Sequence, residues 1–260
     1  MKPNMKIYSI ALALIAFSCG GRTDKPDTDA TDSTNVSASD TIVTETPTET
    51  VPQYVYGIDI SSNQGDEVET LDKNKDSLTF VICRATDGIT YTDPDFNSNW
   101  TTIQEKGFVR GAYHFFESED DPADQVGNYM NAVGEIDAAG LPPIVDFEGA
   151  GIRTDMTVEA VQNNLLQVLE ILAEKTGRTP ILYTNINEGN KYLNTEDFAK
   201  YTLWIADYSG GNTPTLPGVW KDTKWQLWQK SDDYMENGVK NDFDIFNGDL
   251  GAFNAFLKTN

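Results

Sequence analysis

The sequence is short of the residues on which several common chemistries depend. Its 260 residues include two cysteines and one histidine, and 19 basic side chains stand against 41 acidic ones, a net charge of −22. The lone histidine, His114, argues against a zinc site, which usually needs two or more imidazole ligands, and no His-x-x-x-His pair exists. The deficit of basic residues excludes nucleic acid as a partner, because phosphate binding needs a cationic face. Two cysteines cannot build a disulfide framework, so the fold must rest on its hydrophobic core. Neither a phosphate-cradling glycine loop nor a dinucleotide fingerprint occurs, and no cofactor is implied. The acidic excess reads chiefly as solubility, and the chain is expected to be a monomer.

No apolar run is long enough for a permanent membrane span. Residues 7–17 follow Lys2 and Lys6 and have the length of a signal h-region. The next residues, Ala16-Phe17-Ser18-Cys19-Gly20-Gly21, resemble a bacterial lipoprotein signal, in which the cysteine becomes the lipidated first residue of the mature chain. Phe17 is larger than the residue usual there, and a plain secretory signal is the alternative. With Cys19 lipidated, Cys83 stands alone; a Cys19–Cys83 bridge belongs to the alternative. Residues 19–53 hold seven acidic and two basic residues among Thr, Ser and Pro, a composition that cannot bury enough surface to order itself. The division is a signal peptide at 1–18, a disordered acidic tether at 19–53 and a folded domain at 54–260. Together they describe an exported cell-envelope lipoprotein, held to a membrane by its N-terminal anchor.

Within the domain, strand-like runs at residues 54–60, 79–85, 109–116, 143–147, 180–184, 202–206, 225–229 and 243–246 alternate with helical patterns. The clearest helix spans 158–175, where Val158, Val161, Leu165, Leu169 and Leu172 recur at helical spacing and Gly177 follows as a stop. Repeated β-then-α units predict a parallel sheet, and about eight strands predict a single α/β domain folded as a TIM-like barrel. The last two runs lie close together, so the barrel is expected to be irregular.

Function in such barrels collects at the C-terminal ends of the strands. Asp59 lies near the end of the first run, Asp146 and Glu148 end the fourth, Asp207 follows the sixth and Asp242 starts the last. Strand alternation puts Asp146 and Glu148 on one side, roughly 6 to 7 Å apart along the strand, with Phe147 facing away. Two carboxylates so placed resist ionising together, and one can be raised in pKa to serve as an acid, as glycosidic cleavage requires. A solvated loop pair is the alternative, weakened by the apolar strand before it. A Cys83–His114 thiol dyad is disfavoured because both residues sit inside apolar runs. Tyr91, Tyr113, Tyr183, Trp204, Tyr208, Trp225 and Trp228 fall at or near strand ends, where flat aromatic faces suit pyranose rings.

These residues form an ordered set. Gly57-Ile58-Asp59-Ile60-Ser61-Ser62-Asn63-Gln64-Gly65, Phe80 to Gly88 with Arg84, Asp93-Pro94-Asp95-Phe96, Gly111 to Phe115, Asp146-Phe147-Glu148, Leu203 to Tyr208, Trp228-Gln229 and Asp242 to Gly248 follow one another as in glycoside hydrolase family 25. The chain resembles those muramidases from about Tyr56 to Gly248, with aspartate at Asp87 where glutamate is usual, Asp244 in place of asparagine, and Lys230 where an aromatic is commoner. The resemblance implies a peptidoglycan hydrolase that cuts the β-1,4 bond from N-acetylmuramic acid to N-acetylglucosamine. It makes Glu148 the proton donor, Asp146 the carboxylate stabilising the reacting sugar, and Asp59 and Asp242 flanking acids. Arg84, Tyr91, Tyr113, Tyr183, Trp204, Asp207, Tyr208, Trp228 and Gln229 are the expected glycan contacts. The i to i+2 step exceeds the roughly 5 to 5.5 Å of nucleophile-using retaining enzymes, which favours assistance from the substrate's own N-acetyl group. A hydrolase of another polysaccharide and a catalytically weak glycan-binding lipoprotein are the rival classes.

The N-terminal reading is tested by Cys19→Ala, which is expected to disturb processing and to release the protein from membranes. Wild-type protein that fractionates as soluble, without incorporated lipid label, contradicts the anchor.

Overall fold

The computed structural model describes residues 54–65 and 67–259. The signal segment expected at 1–18, the tether expected at 19–53 and Cys19 lie outside the described residues. The strands are β1 (Val55–Ile60), β2 (Phe80–Asp87), β3 (Tyr91–Thr92), β4 (Val109–Phe115), β5 (Ile144–Asp146), β6 (Ile181–Asn185), β7 (Thr202–Ala206), β8 (Leu227–Glu236) and β9 (Val239–Phe246). Pairing runs from β2 through β4, β5, β6, β7, β8 and β9 to β1, and a β1–β2 pairing closes the ring into an eight-stranded barrel. The short β3 hangs antiparallel on the end of β2.

Seven barrel strands run parallel, and β9 runs antiparallel to both its neighbours, β8 and β1. The parallel sheet expected from the β-then-α units thus holds for seven strands, and the irregularity expected at the last two runs is the reversed β9. A parallel neighbour needs a long crossover, whereas β8 and β9 are joined by Asn237-Gly238, whose φ values of 48° and 89° belong to a tight hairpin turn. Both strands are longer than their apolar patterning suggested, because the outer half of the hairpin is polar and extends beyond the barrel wall.

Outside the barrel lie α1 (Phe96–Glu105), α2 (Pro122–Val133), α3 (Val158–Thr176) and the short α4 (Ile186–Tyr192), while β1–β2 and β7–β8 are joined with single 3-10 turns. Helix α3 appears where its periodicity predicts. Thr157 caps its first turn by accepting from the Ala160 N–H, and Gly177 ends it at a left-handed φ of 67°. Its buried face, Val161, Leu165, Val168, Leu169 and Leu172, packs in a core with the outward side chains of the barrel, among them Phe147 and Ile205.

A second core fills the lower barrel. Val55, Phe80, Ile82, Ile144, Ile181, Leu227 and Phe246 point inward, and helix α5 (Leu250–Thr259) seals that end with Phe253, Phe256 and Leu257. The strands alternate, so the next inward positions, Asp59, Arg84, Tyr113, Asp146, Tyr183 and Gln229, fall at the opposite end. Apolar packing below therefore delivers polar residues above. Gly57 keeps this stack narrow, since a Cβ there would stand 2.3 Å from the Phe80 ring. Gly57→Ala is expected to cost about 1–3 kcal/mol by overpacking, read as a lower denaturation midpoint in urea with an unchanged slope. An unchanged midpoint would show that the Phe80 ring moves freely.

Candidate active site

The open end of the barrel holds a cavity of about 180 Å3 lined by Asp59, Tyr113, Asp146, Glu148, Tyr183, Trp204, Tyr208, Gln229, Asp232 and Asp242. Asp146 is the last residue of β5, and Glu148 continues in extended conformation (φ −128°, ψ 161°), so alternation carries past the strand and both carboxyls reach the pocket. Phe147 points the other way and is fully buried among outer-core residues. Asp242 starts the last strand yet reaches the same rim, because β9 is reversed and Asp242 lies directly across from Asp59.

Gln229 ties the walls together. Its Nε2 donates to Asp59 Oδ2 at 2.7 Å, and its Oε1 accepts the Tyr183 hydroxyl at 2.7 Å and the Tyr208 hydroxyl as well. One amide thus joins β1, β6, β8 and the loop after β7. The Tyr183 hydroxyl also lies within hydrogen-bonding reach of Glu148.

The acids are crowded and largely dry. Burial, with Asp242 and Glu148 adding like charge, pushes Asp59 up to about 8 despite the Gln229 hydrogen bond. Burial likewise raises Asp146 well above the usual carboxylate range, with Glu148 and Asp59 adding to it and Arg84 opposing. Glu148 is less buried and is raised by desolvation, with Tyr183 opposing and Glu188 adding to the rise. Asp242 is pushed up to about 6 by burial and by Asp232, against Lys240. Such a cluster shares protons at neutral pH, and a proton held there is available to a leaving group. Asp146 Oδ1 is buried and receives no donor from the described residues.

A model for "Glycosyl hydrolases family 25" matches residues 58–239. The chain belongs to glycosyl hydrolase family 25. It is 30% identical over 203 residues to an N,O-diacetylmuramidase of a Chalaropsis species, covering 72% of this chain and 92% of that one. It is 26% identical over 204 residues to "Lysozyme M1" of Streptomyces globisporus, covering 75% of this chain and 68% of that one. The structure of a family 25 lysozyme from Aspergillus fumigatus superposes with a TM-score of 0.70 at 28% identity, over 79% of this chain and 99% of that one. The protein is therefore a glycoside hydrolase of the lysozyme type on an irregular barrel.

The family 25 pocket gathers all four expected acids with Tyr113, Tyr183, Trp204, Tyr208 and Gln229. The other expected contacts stand elsewhere. Arg84 is a brace: its Nε meets Asp93 Oδ2 at 2.9 Å, and that oxygen also accepts the Ser62 N–H, so the pair pins the loop after β1. Tyr91, 41% exposed, lies beneath the Arg84 guanidinium, 5.4 Å from ring centroid to carbon. Asp207 caps its own loop by accepting from Ser209 and Thr215 N–H groups. Trp228 faces the outer core, stacked edge-on against Trp225, and its Nε1 donates to the Asp207 carbonyl. Strand parity explains the last case, since Trp228 neighbours the inward Gln229. Asp232, absent from the expected set, enters the pocket from the β8–β9 hairpin; the Asn237-Gly238 turn was the signal that could have found it.

Raised carboxyls bind protons more tightly in the folded chain than in the unfolded one. Their contribution to stability is fully present below about pH 4 and is lost as pH rises through about 6 for Asp242 and about 8 for Asp59. The melting temperature should fall between pH 5 and 8, and Asp59→Asn should flatten that slope. Calorimetry showing the wild type flat or rising across this window would contradict the buried, proton-sharing cluster.

Proposed function

We propose that this family 25 hydrolase cleaves peptidoglycan at the β-1,4 bond between N-acetylmuramic acid and N-acetylglucosamine, with Glu148 as proton donor and the substrate's acetamido oxygen as nucleophile. The observation that carries this reading is the buried Asp146 Oδ1, an acceptor without a donor among the described residues, two residues from Glu148 on the pocket wall. An acceptor oxygen so placed calls for an N–H, and the acetamido group beside the anomeric carbon supplies one, a hydrogen bond that favours the ionised form of Asp146 against its burial. Accepting that N–H turns the amide carbonyl toward the anomeric carbon and offsets the positive charge that develops on the amide nitrogen as its oxygen attacks. Glu148, partly exposed and raised in pKa, protonates the departing glycosidic oxygen, so the bond breaks without expelling an alkoxide. Water then opens the cyclic intermediate, with Glu148 accepting its proton.

Asp59 and Asp242 are the flanking acids of this scheme. The half-exposed ring of Tyr208 supplies sugar-facing aromatic surface, the buried Trp204 closes the pocket from below, and Arg84, Tyr91, Asp207 and Trp228 support the loops around it. The named muramidase and lysozyme relatives support peptidoglycan as the substrate. The proposal includes export as a lipoprotein through Cys19, with the folded domain carried on the acidic segment before residue 54.

Glu148→Gln should lower turnover on purified sacculi by about 10²–10⁴-fold while the circular dichroism spectrum is retained. Asp146→Asn should be severely impaired, as should wild-type turnover on glycans lacking the muramic N-acetyl group. Proton NMR of the first-formed product should find the anomeric configuration retained. An inverted first product refutes substrate assistance and points to water activated by Asp59 or Asp242.

A further inference from the structure

Asp244 does not line the pocket, yet it is fully buried immediately beneath it. It follows Asp242 at the next inward position of β9 and lies across from Gly57 on one side and Gln229 on the other. Trp204 Nε1 donates to Asp244 Oδ1 at 2.8 Å. Asp244 Oδ2 receives no N–H or O–H from the described residues. The Asp244 and Asp59 carboxyls lie within hydrogen-bonding reach of each other.

Two carboxylates in contact have only acceptors to offer each other, so their hydrogen bond exists only when one of them carries a proton. Oδ1 of Asp244 is engaged by the indole, which leaves Oδ2 to carry it. We propose that Asp244 is a positioning residue that holds a proton shared with Asp59, and that this bond, with the Gln229 amide, fixes the Asp59 carboxyl toward the pocket. The charged and titratable groups around the pair come from every wall. They are Arg84 of β2, Tyr113 of β4, Asp146 of β5 and Glu148 just after it, Tyr183 of β6, Tyr208 after β7 and Asp242 of β9, to which Trp204 and Gln229 add neutral donors. The acids outnumber the cations, of which Arg84 acts on Asp146 and Lys240 on Asp242, where Asp232 adds a further acid, and burial raises both members of the pair. Loss of the shared proton at alkaline pH leaves two adjacent buried charges, which separate and release Asp59 from its Gln229 partner. The alkaline limb of activity is then set at this pair beneath the site.

The proposal rests on Asp59 serving the hydrolytic site, so its test has one arm that reads turnover and one that does not. Asparagine at 244 keeps the shape and offers a permanent N–H. Asp244→Asn should stay active and move the alkaline limb of kcat/KM to higher pH by about one pH unit or more. Asp244→Leu, which cannot donate, should lose about tenfold or more across the whole profile. An Asn profile superimposed on wild type, or Asn and Leu variants that behave alike, overturns the proposal. The second arm is infrared spectroscopy at neutral pH in the Asp146→Asn background, where a protonated-carboxyl stretch should be present and should shrink when Asp244→Asn is added. No such band in the parent, or no change on adding the substitution, overturns the proposal whether or not the enzyme cuts muramyl glycans.

Discussion

Gln229 donates to Asp59 and accepts two tyrosine hydroxyls, and the geometry of the acid cluster depends on that one side chain. Carboxylates packed at the end of a barrel repel one another and lose hydration, so without neutral donors they would turn outward to water. The amide supplies a donor that adds no charge. A lysine or arginine in its place would neutralise the cluster and lower the carboxyl pKa values on which the proposed proton donation depends. Trp204 acts in the same way in the layer below, donating its indole N–H to Asp244. The site thus keeps its acids buried, oriented and poised to hold protons at neutral pH.

That arrangement is possible because the barrel has two unlike ends. The lower end is closed by α5 and a dry layer of aromatic and aliphatic side chains, which fixes the strands in register. The upper end inherits the register. The cost of crowding the acids is offset by the apolar packing below and by the outer helices, much as active sites elsewhere hold strained groups through support from the surrounding structure.

The reversed last strand gives this barrel its asymmetry. Because β9 runs antiparallel, its first residues reach the rim at which the other strands end, and Asp242 and Asp244 come beside Asp59. The same reversal replaces a crossover helix with a hairpin that stands above the rim and adds Asp232 to the pocket wall. Arg84 works at a different level: with Asp93 it secures the loop after β1, and its charge is the main one opposing the rise in Asp146.

Much of this was legible in the chain itself. Alternation from Ile144 to Glu148 is a local property, and it placed Asp146 and Glu148 on one wall and Phe147 on the other before any fold was known. The helical repeat from Val158 to Leu172, with its Gly177 stop, is local in the same sense. The eight strand-like runs marked out a barrel because burial requires apolar residues at those positions whatever their neighbours. What local pattern cannot carry is direction and partner. Whether β9 runs with or against β1 depends on the closing turn and on the ring as a whole, and it decides whether Asp242 and Asp244 meet Asp59. The roles of Trp228, Asp207 and Arg84 were likewise decided in three dimensions. Each lies near a strand end and is of a residue type suited to sugar, and strand parity sets Trp228 against the outer core, loop closure engages Asp207 and an ion pair holds Arg84.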